Sequence, residues 1–234
     1  MRVLLHGEGV TDCGISNGYG GWDEGPVQIL MKKINSTLEI ECISKDGIKE
    51  RKKLQKSLSG LKGHGRYSAL LAHIAKERQY DVAALFRDAD RKQGTDLRKM
   101  HTCCKRYHEV KADIYEGFEK SRCNLEYLAI IPMKMIENWL LSDQNSFVSA
   151  FNGKAPNLPS NPELIWGDEK DPSSNHPKNR LSRELQKYHV TANRDSYCKL
   201  AMSIDVDTLI DKCPISFQDF HKQMLKIKIG EDQQ

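Results

Sequence analysis

The chain reads as an α/β protein: a parallel central sheet flanked by helices, followed by a C-terminal helical segment. Three observations predict this. Short apolar runs near residues 2–6, 38–43, 82–86 and 125–131 have the length of buried strands. Segments with three- and four-residue apolar spacing lie between them, so strand and helix alternate as far as Asp143. Beyond residue 180 only helical spacing remains. The expected division is an α/β domain over residues 1–145 and a loop and helical segment over 146–234 packed on it.

Composition limits the function classes. With 38% hydrophobic and 29% charged residues in 234, there is enough apolar material for a core, which excludes a disordered chain. A net charge of +4 permits an anionic partner without requiring one. Seven cysteines, never spaced Cys-x-x-Cys, argue against a disulfide framework and a zinc ribbon, and buried thiols are the expected use. No signal-peptide pattern or long apolar run is visible, so the expected compartment is a reducing cytoplasm, with no membrane partner.

Residues 2–6 form the first strand, closed by Gly7-Glu8-Gly9-Val10-Thr11-Asp12. The glycines allow a sharp turn that leaves Glu8 accessible. A glycine-rich loop follows to Gly25, without the Gly-Lys-Ser/Thr ending of a phosphate loop. Pro26 suits the first turn of a helix whose buried stripe is Val27, Leu30, Met31 and Ile34. Leu38, Ile40, Cys42 and Ile43 make the second strand. A basic stretch comes next: Lys49, Arg51, Lys52, Lys53, Lys56, Lys62 and Arg66. It is either a solvated helix face or a contact for nucleic-acid phosphates. Gly60, Gly63 and Gly65 read as a flexible break, before a helix carrying Tyr67, Leu70, Leu71 and Ile74.

Residues 82–86 form the third strand, unalternating and therefore covered on both faces. It runs into Asp88 and Asp90, which project to the same side if the strand persists that far. Gly94-Thr95-Asp96 opens a long helix with Met100, Cys103, Tyr107, Val110, Ile114 and Phe118 on one stripe. Residues 125–131 are the fourth strand, stopped by Pro132. A short helix over residues 134–141 turns Ile136, Trp139 and Leu140 inward and leaves Glu137 off that stripe. Five prolines between residues 152 and 177 mark a long loop. Short helices are expected over 181–188, 197–202, 206–210 and 217–227, with Phe217, Phe220 and Met224 on one face of the last.

Glu8, the pair Asp88 and Asp90, and Glu137 each follow a strand, so in a parallel sheet all sit at the same edge. That is where open α/β sheets bind ligands. Together they would form a hard oxygen site suited to Mg2+ or Mn2+, with Asp12 as a weaker candidate ligand. The competing reading is a solvated strand exit followed by an Asp-rich turn.

Gly7-Glu8-Gly9-Val10-Thr11-Asp12 together with Arg87-Asp88-Ala89-Asp90 resembles the acidic signature of TOPRIM domains, found in topoisomerases, primases and overcoming-lysogenization-defect nucleases. Residues 131–143, with their Pro, Glu and Trp-Leu block, are similar to small TOPRIM-like proteins catalogued as domain of unknown function 4276. So is the ending over residues 197–220. The resemblance implies a TOPRIM-like sheet with Glu8, Asp88 and Asp90 as metal and acid–base positions and Glu137 as an additional acid. Lys92 stands where many such domains carry a third acid, which leaves one or two metals open. The implied partner is an ATP-binding-cassette-type or AAA ATPase encoded beside the gene in bacterial defence loci.

No separate tyrosine-bearing or zinc-bearing module is visible, so the implied chemistry that needs least else is phosphodiester hydrolysis of DNA or RNA. Mg2+ or Mn2+ would sit on Glu8, Asp88 and Asp90. Glu8 or Glu137 would help deprotonate a water, and Lys92 or the 49–66 stretch would steady the negative charge. The alternatives are a non-catalytic binding subunit of an ATPase complex and a metal-dependent enzyme acting on a small nucleotide.

Overall fold

The computed structural model describes residues 1–7, 9–16, 22–49, 58, 60–61, 63–89 and 100–231. Along the chain run β1 (Arg2–His6), the single turn α1 (Val10–Cys13), the hairpin strands β2 (Ile15–Ser16) and β3 (Trp22–Asp23), α2 (Pro26–Ile34), β4 (Glu39–Cys42), α3 (Lys45–Lys49) and α4 (Gly63–Glu77). Then come β5 (Val82–Phe86), α5 (Met100–Ser121), β6 (Glu126–Ile130), α6 (Ile136–Leu140) and α7 (Gln144–Phe151). A 3-10 turn at Pro162–Leu164 precedes α8 (Pro177–Gln186), α9 (Arg194–Ser203), α10 (Val206–Lys212) and α11 (Ser216–Glu231).

The main sheet is all parallel, in the order β4-β1-β5-β6. The chain steps from β1 to one side, then crosses back to β5, so the order reverses between β1 and β5. A ligand crevice opens at such a point in open α/β sheets. Two-residue alternation decides which side chains meet which helices. Val3, Leu5, Val82, Ala84, Phe86, Leu128 and Ile130 share one core with α2 and the C-terminal helices. Leu4, Ala83, Leu85, Ala129 and Ile131 belong to the other core, against α4 and α5. Helices therefore cover both faces, and all five residues of β5 are buried, as its unalternating sequence requires.

Helices α4 and α5 meet at backbone distance. A Cβ on Gly117 would stand 1.9 Å from Gly65 O, and Ser68 Oγ donates to Ile114 O at 2.7 Å. The glycines read as a flexible break thus have a different use: Gly63 opens α4 at φ +52 and Gly65 lets α5 approach. The helix is correspondingly longer than its apolar stripe.

The C-terminal helices close on the sheet through aromatic packing. Trp139 of α6 stacks on Phe220 at 5.8 Å and meets Phe217 edge-on at 5.1 Å. Its Nε1 donates to Ser216 Oγ at 2.8 Å. The buried Glu163 accepts from Ser216 N at 2.7 Å and from Ile215 N at 3.2 Å, tying the proline-rich segment to the start of α11. Helix α7 has no counterpart in the sequence reading. Its signal was present in Asp143, whose side chain accepts from Asn145 N at 2.8 Å and caps it. All seven cysteines are free thiols. Among the described residues, no helix is long and apolar enough to cross a membrane.

Candidate active site at the carboxyl edge of the sheet

Three expected acids, Asp12, Asp88 and Glu137, line one cleft of about 960 Å3 at the carboxyl edge of the main sheet. Each arrives on a different element. Asp12 sits in the α1 turn after β1, Asp88 follows β5, and Glu137 lies in the first turn of α6 after β6. Pairing outlasts the strand beside Asp88: Arg87 N donates to Ile130 O at 3.0 Å and Ala89 N to Pro132 O at 3.3 Å. The extended course past Phe86 carries Asp88 out beyond the sheet. Glu137 lies off the apolar stripe of its helix, yet it is only 4% exposed, because α8 and α9 close over it. Its Oε1 accepts from the Tyr197 hydroxyl at 3.4 Å. Burial, then Glu137 and Asp12, push the Tyr197 phenol well above its ordinary pKa, so it stays a proton donor.

The opposite side of the cleft is built on β1, β5 and α4. His6 Nδ1 lies 2.8 Å from Ile43 O. A carbonyl only accepts, so Nδ1 carries the proton. Burial first, then the charges of Arg87 and Lys45, pull His6 down to about 4 and leave it neutral. Its ring stacks on Tyr67 at 5.8 Å, and the Arg87 guanidinium lies 5.0 Å from the same ring's centroid. Arg87 also donates to Phe86 O at 2.7 Å. Below the cleft, burial, Cys42 and Asp12 raise the Cys13 thiol well above its ordinary value, so it is no nucleophile at neutral pH.

Lys178, Asn193 and Arg194 complete the lining from the amino ends of α8 and α9. Burial disfavours the charged form of Lys178, but Glu137, Glu169 and Asp88 outweigh it and hold the pKa above the usual lysine value. Lys178 Nζ stands 3.5 Å from Glu169. The loop that carries Glu169 is anchored by Asn179, whose Nδ2 donates to Asp168 O, Glu169 O and Asp171 O. Sequence reading missed these cations because apolar spacing marks only where a helix becomes buried. Pro177 at the first position of α8 and Asn193 capping α9 were the signals that would have extended both helices to include them.

Several expected site residues lie outside the described residues: Glu8, Asp90, Lys92, Arg51, Lys52, Lys53, Lys56 and Lys62, together with the opening of the long helix at residues 94–96. Lys49 ends α3, and Arg66 is half-buried in α4 without lining the cleft. Asp12, Asp88 and Glu137 offer hard oxygen donors, the chemistry Mg2+ and Mn2+ take. Among the described residues, no group of three or more His, Cys, Asp or Glu side chains is placed to hold an ion.

The profile of one family, Domain of unknown function (DUF4276), matches residues 27–225. The chain belongs to this family. The DUF4276 match spans β4, β5, β6 and the helices through most of α11, so it takes in Asp88, Glu137, Lys178 and Arg194. No curated protein and no solved structure matches this DUF4276 chain.

Proposed function

We propose that the chain is a TOPRIM-like phosphodiesterase that hydrolyses DNA or RNA with Mg2+ or Mn2+, and that it serves in the bacterial cytoplasm as an anti-phage effector with an ATPase partner. The observation that carries the chemistry is the shared cleft of Asp12, Asp88 and Glu137, with Arg87, Lys178 and Arg194 among its walls. Acids at the carboxyl edge of a parallel sheet, faced by cations, suit a phosphate that must be both held and attacked. The ATPase and the defence role rest on the resemblance of residues 131–143 and 197–220.

Asp88 with Asp90 and Glu8 would hold the ion, with Asp12 as a further candidate ligand. Bound there, a divalent ion supplies an acidified water and neutralises phosphate charge. The chain's own groups do the rest. Arg87 and Lys178 offset the charge on the non-bridging oxygens. Glu137, in hydrogen-bond contact with Tyr197, is the buried acid available to take a proton.

The purified chain, supplied with Mg2+ or Mn2+ and with single- and double-stranded DNA and RNA, should cleave at least one of them. EDTA and Asp88→Asn should both stop the reaction. Equal cleavage by wild type and Asp88→Asn would refute the assignment, and metal-independent binding without turnover would point to a binding subunit.

A further inference from the structure

We propose that the cleft takes one unpaired polynucleotide strand, laid across the carboxyl edge of the sheet, and not a duplex. This deepens the phosphodiesterase reading and rests on it for the scissile position. The first observation is size. A volume of about 960 Å3 is at the top of the range that encloses small ligands, enough for a few nucleotides. A B-form duplex, broader than its own major groove of about 12 Å, cannot be enclosed in that volume. The acids at the sheet edge are therefore within reach of a strand that can be drawn in without its complement.

The second observation is the arrangement of charge. Lys45 and Arg87 reach the cleft from the side of α3 and α4, while Lys178 and Arg194 reach it from α8 and α9. The two pairs come from opposite faces of the sheet, and Asp88 leaves β5 at the edge between them. A mononucleotide would use one flank. A strand crossing the edge places successive phosphates against both, with the scissile one over the acids. Tyr67 adds the third observation. Half-buried, it lines the cleft with the Arg87 guanidinium over its ring, and unpaired bases stack on guanidinium planes as they do on aromatic rings.

The test is equilibrium binding in EDTA, so that no turnover occurs, with a short fluorescent oligothymidylate, its duplex with oligoadenylate, and thymidine monophosphate as competitor. The single strand should bind at least ten-fold more tightly than the duplex, and the monophosphate should compete poorly. Lys45→Ala and Arg194→Ala, one on each flank, should each weaken strand binding several-fold and lower the slope of log affinity against log salt by about 0.7. Circular dichroism and melting of both variants guard against misfolding, and Lys45, exposed on α3, is the safer of the two. Duplex binding as tight as single-strand binding would overturn the proposal. So would monophosphate competition equal to that of the oligonucleotide, or wild-type affinity in both variants. Strand binding without cleavage in Mg2+ or Mn2+ would leave this inference standing and remove the nuclease reading; cleavage of duplex alone would do the reverse.

Discussion

The Tyr197 hydroxyl donates to Glu137 Oε1 at 3.4 Å, across 60 residues of sequence, joining the helix after the last strand to the C-terminal segment. The contact makes the C-terminal helices part of the site and not an appendage to it. Tyr197→Phe removes one hydrogen bond to a buried carboxylate without changing shape. It should cost about 1–2 kcal/mol of stability and lower turnover several-fold. Denaturant melts and steady-state rates on the same preparation separate the two effects, and unchanged rates would make the contact purely structural.

Asp88→Asn should weaken Mn2+ binding at least ten-fold by calorimetry and leave the fold intact. Protons compete with metal for carboxylates, so wild-type affinity should also fall as the solution is acidified. An Asp88→Asn protein that binds Mn2+ like wild type would move the metal elsewhere.

His6 makes stability depend on pH. Its folded value, about 4, lies below the ordinary 6.5 because burial, then Arg87, disfavour the imidazolium. Between those values the unfolded chain binds the extra proton, so stability contributed by neutral His6 is complete above pH 6.5. It is lost progressively as the pH falls towards 4, up to about 3 kcal/mol. His6→Gln should flatten this part of the profile, measured as the difference in melting temperature between wild type and variant across that window. Parallel profiles would show that His6 titrates normally.

Phe220 is 1% exposed and stacks on Trp139. Phe220→Ala should therefore cost about 3–5 kcal/mol in an isolated monomer. Loss of a partner interaction with no loss of monomer stability would contradict the burial.

Burying Trp139 has a second consequence. Its Nε1 needs an acceptor, and Ser216 Oγ supplies one while also bonding to Glu163. Ser216→Ala leaves the indole N–H unsatisfied, with an expected cost of about 1–3 kcal/mol by urea titration. A neutral result would mean that water replaces the hydroxyl.

Much of the fold was legible because its signals are local. Residues 2–6 and 82–86 are strands at the bounds their apolar runs suggested, and Val27, Leu30 and Met31 are buried on the helix they predicted. Parallel order followed from strand and helix alternating, since a parallel step needs a long crossover. Glu8, Asp88, Asp90 and Glu137, with Asp12 as a weaker candidate, belong together for the same reason: each follows a strand, and a parallel sheet brings such positions to one edge, where Asp12, Asp88 and Glu137 line one cleft.

What remained beyond the sequence depends on how distant segments pack. Nothing local says that β5 rather than β4 crosses to the far side of β1, which puts the crevice between His6 and Arg87. Nor does composition distinguish a proline-rich linker from one pinned beneath α6 by Asn138 and Glu163, which delivers Lys178 and Arg194 to the acids. The acids were determined by the sequence, because strand ends are set by short-range patterning. The cations opposite them were decided by the tertiary structure, because α8 and α9 come back over the sheet by burying Leu181, Leu185 and Leu200 in the core shared with α2, Trp139, Phe217 and Phe220.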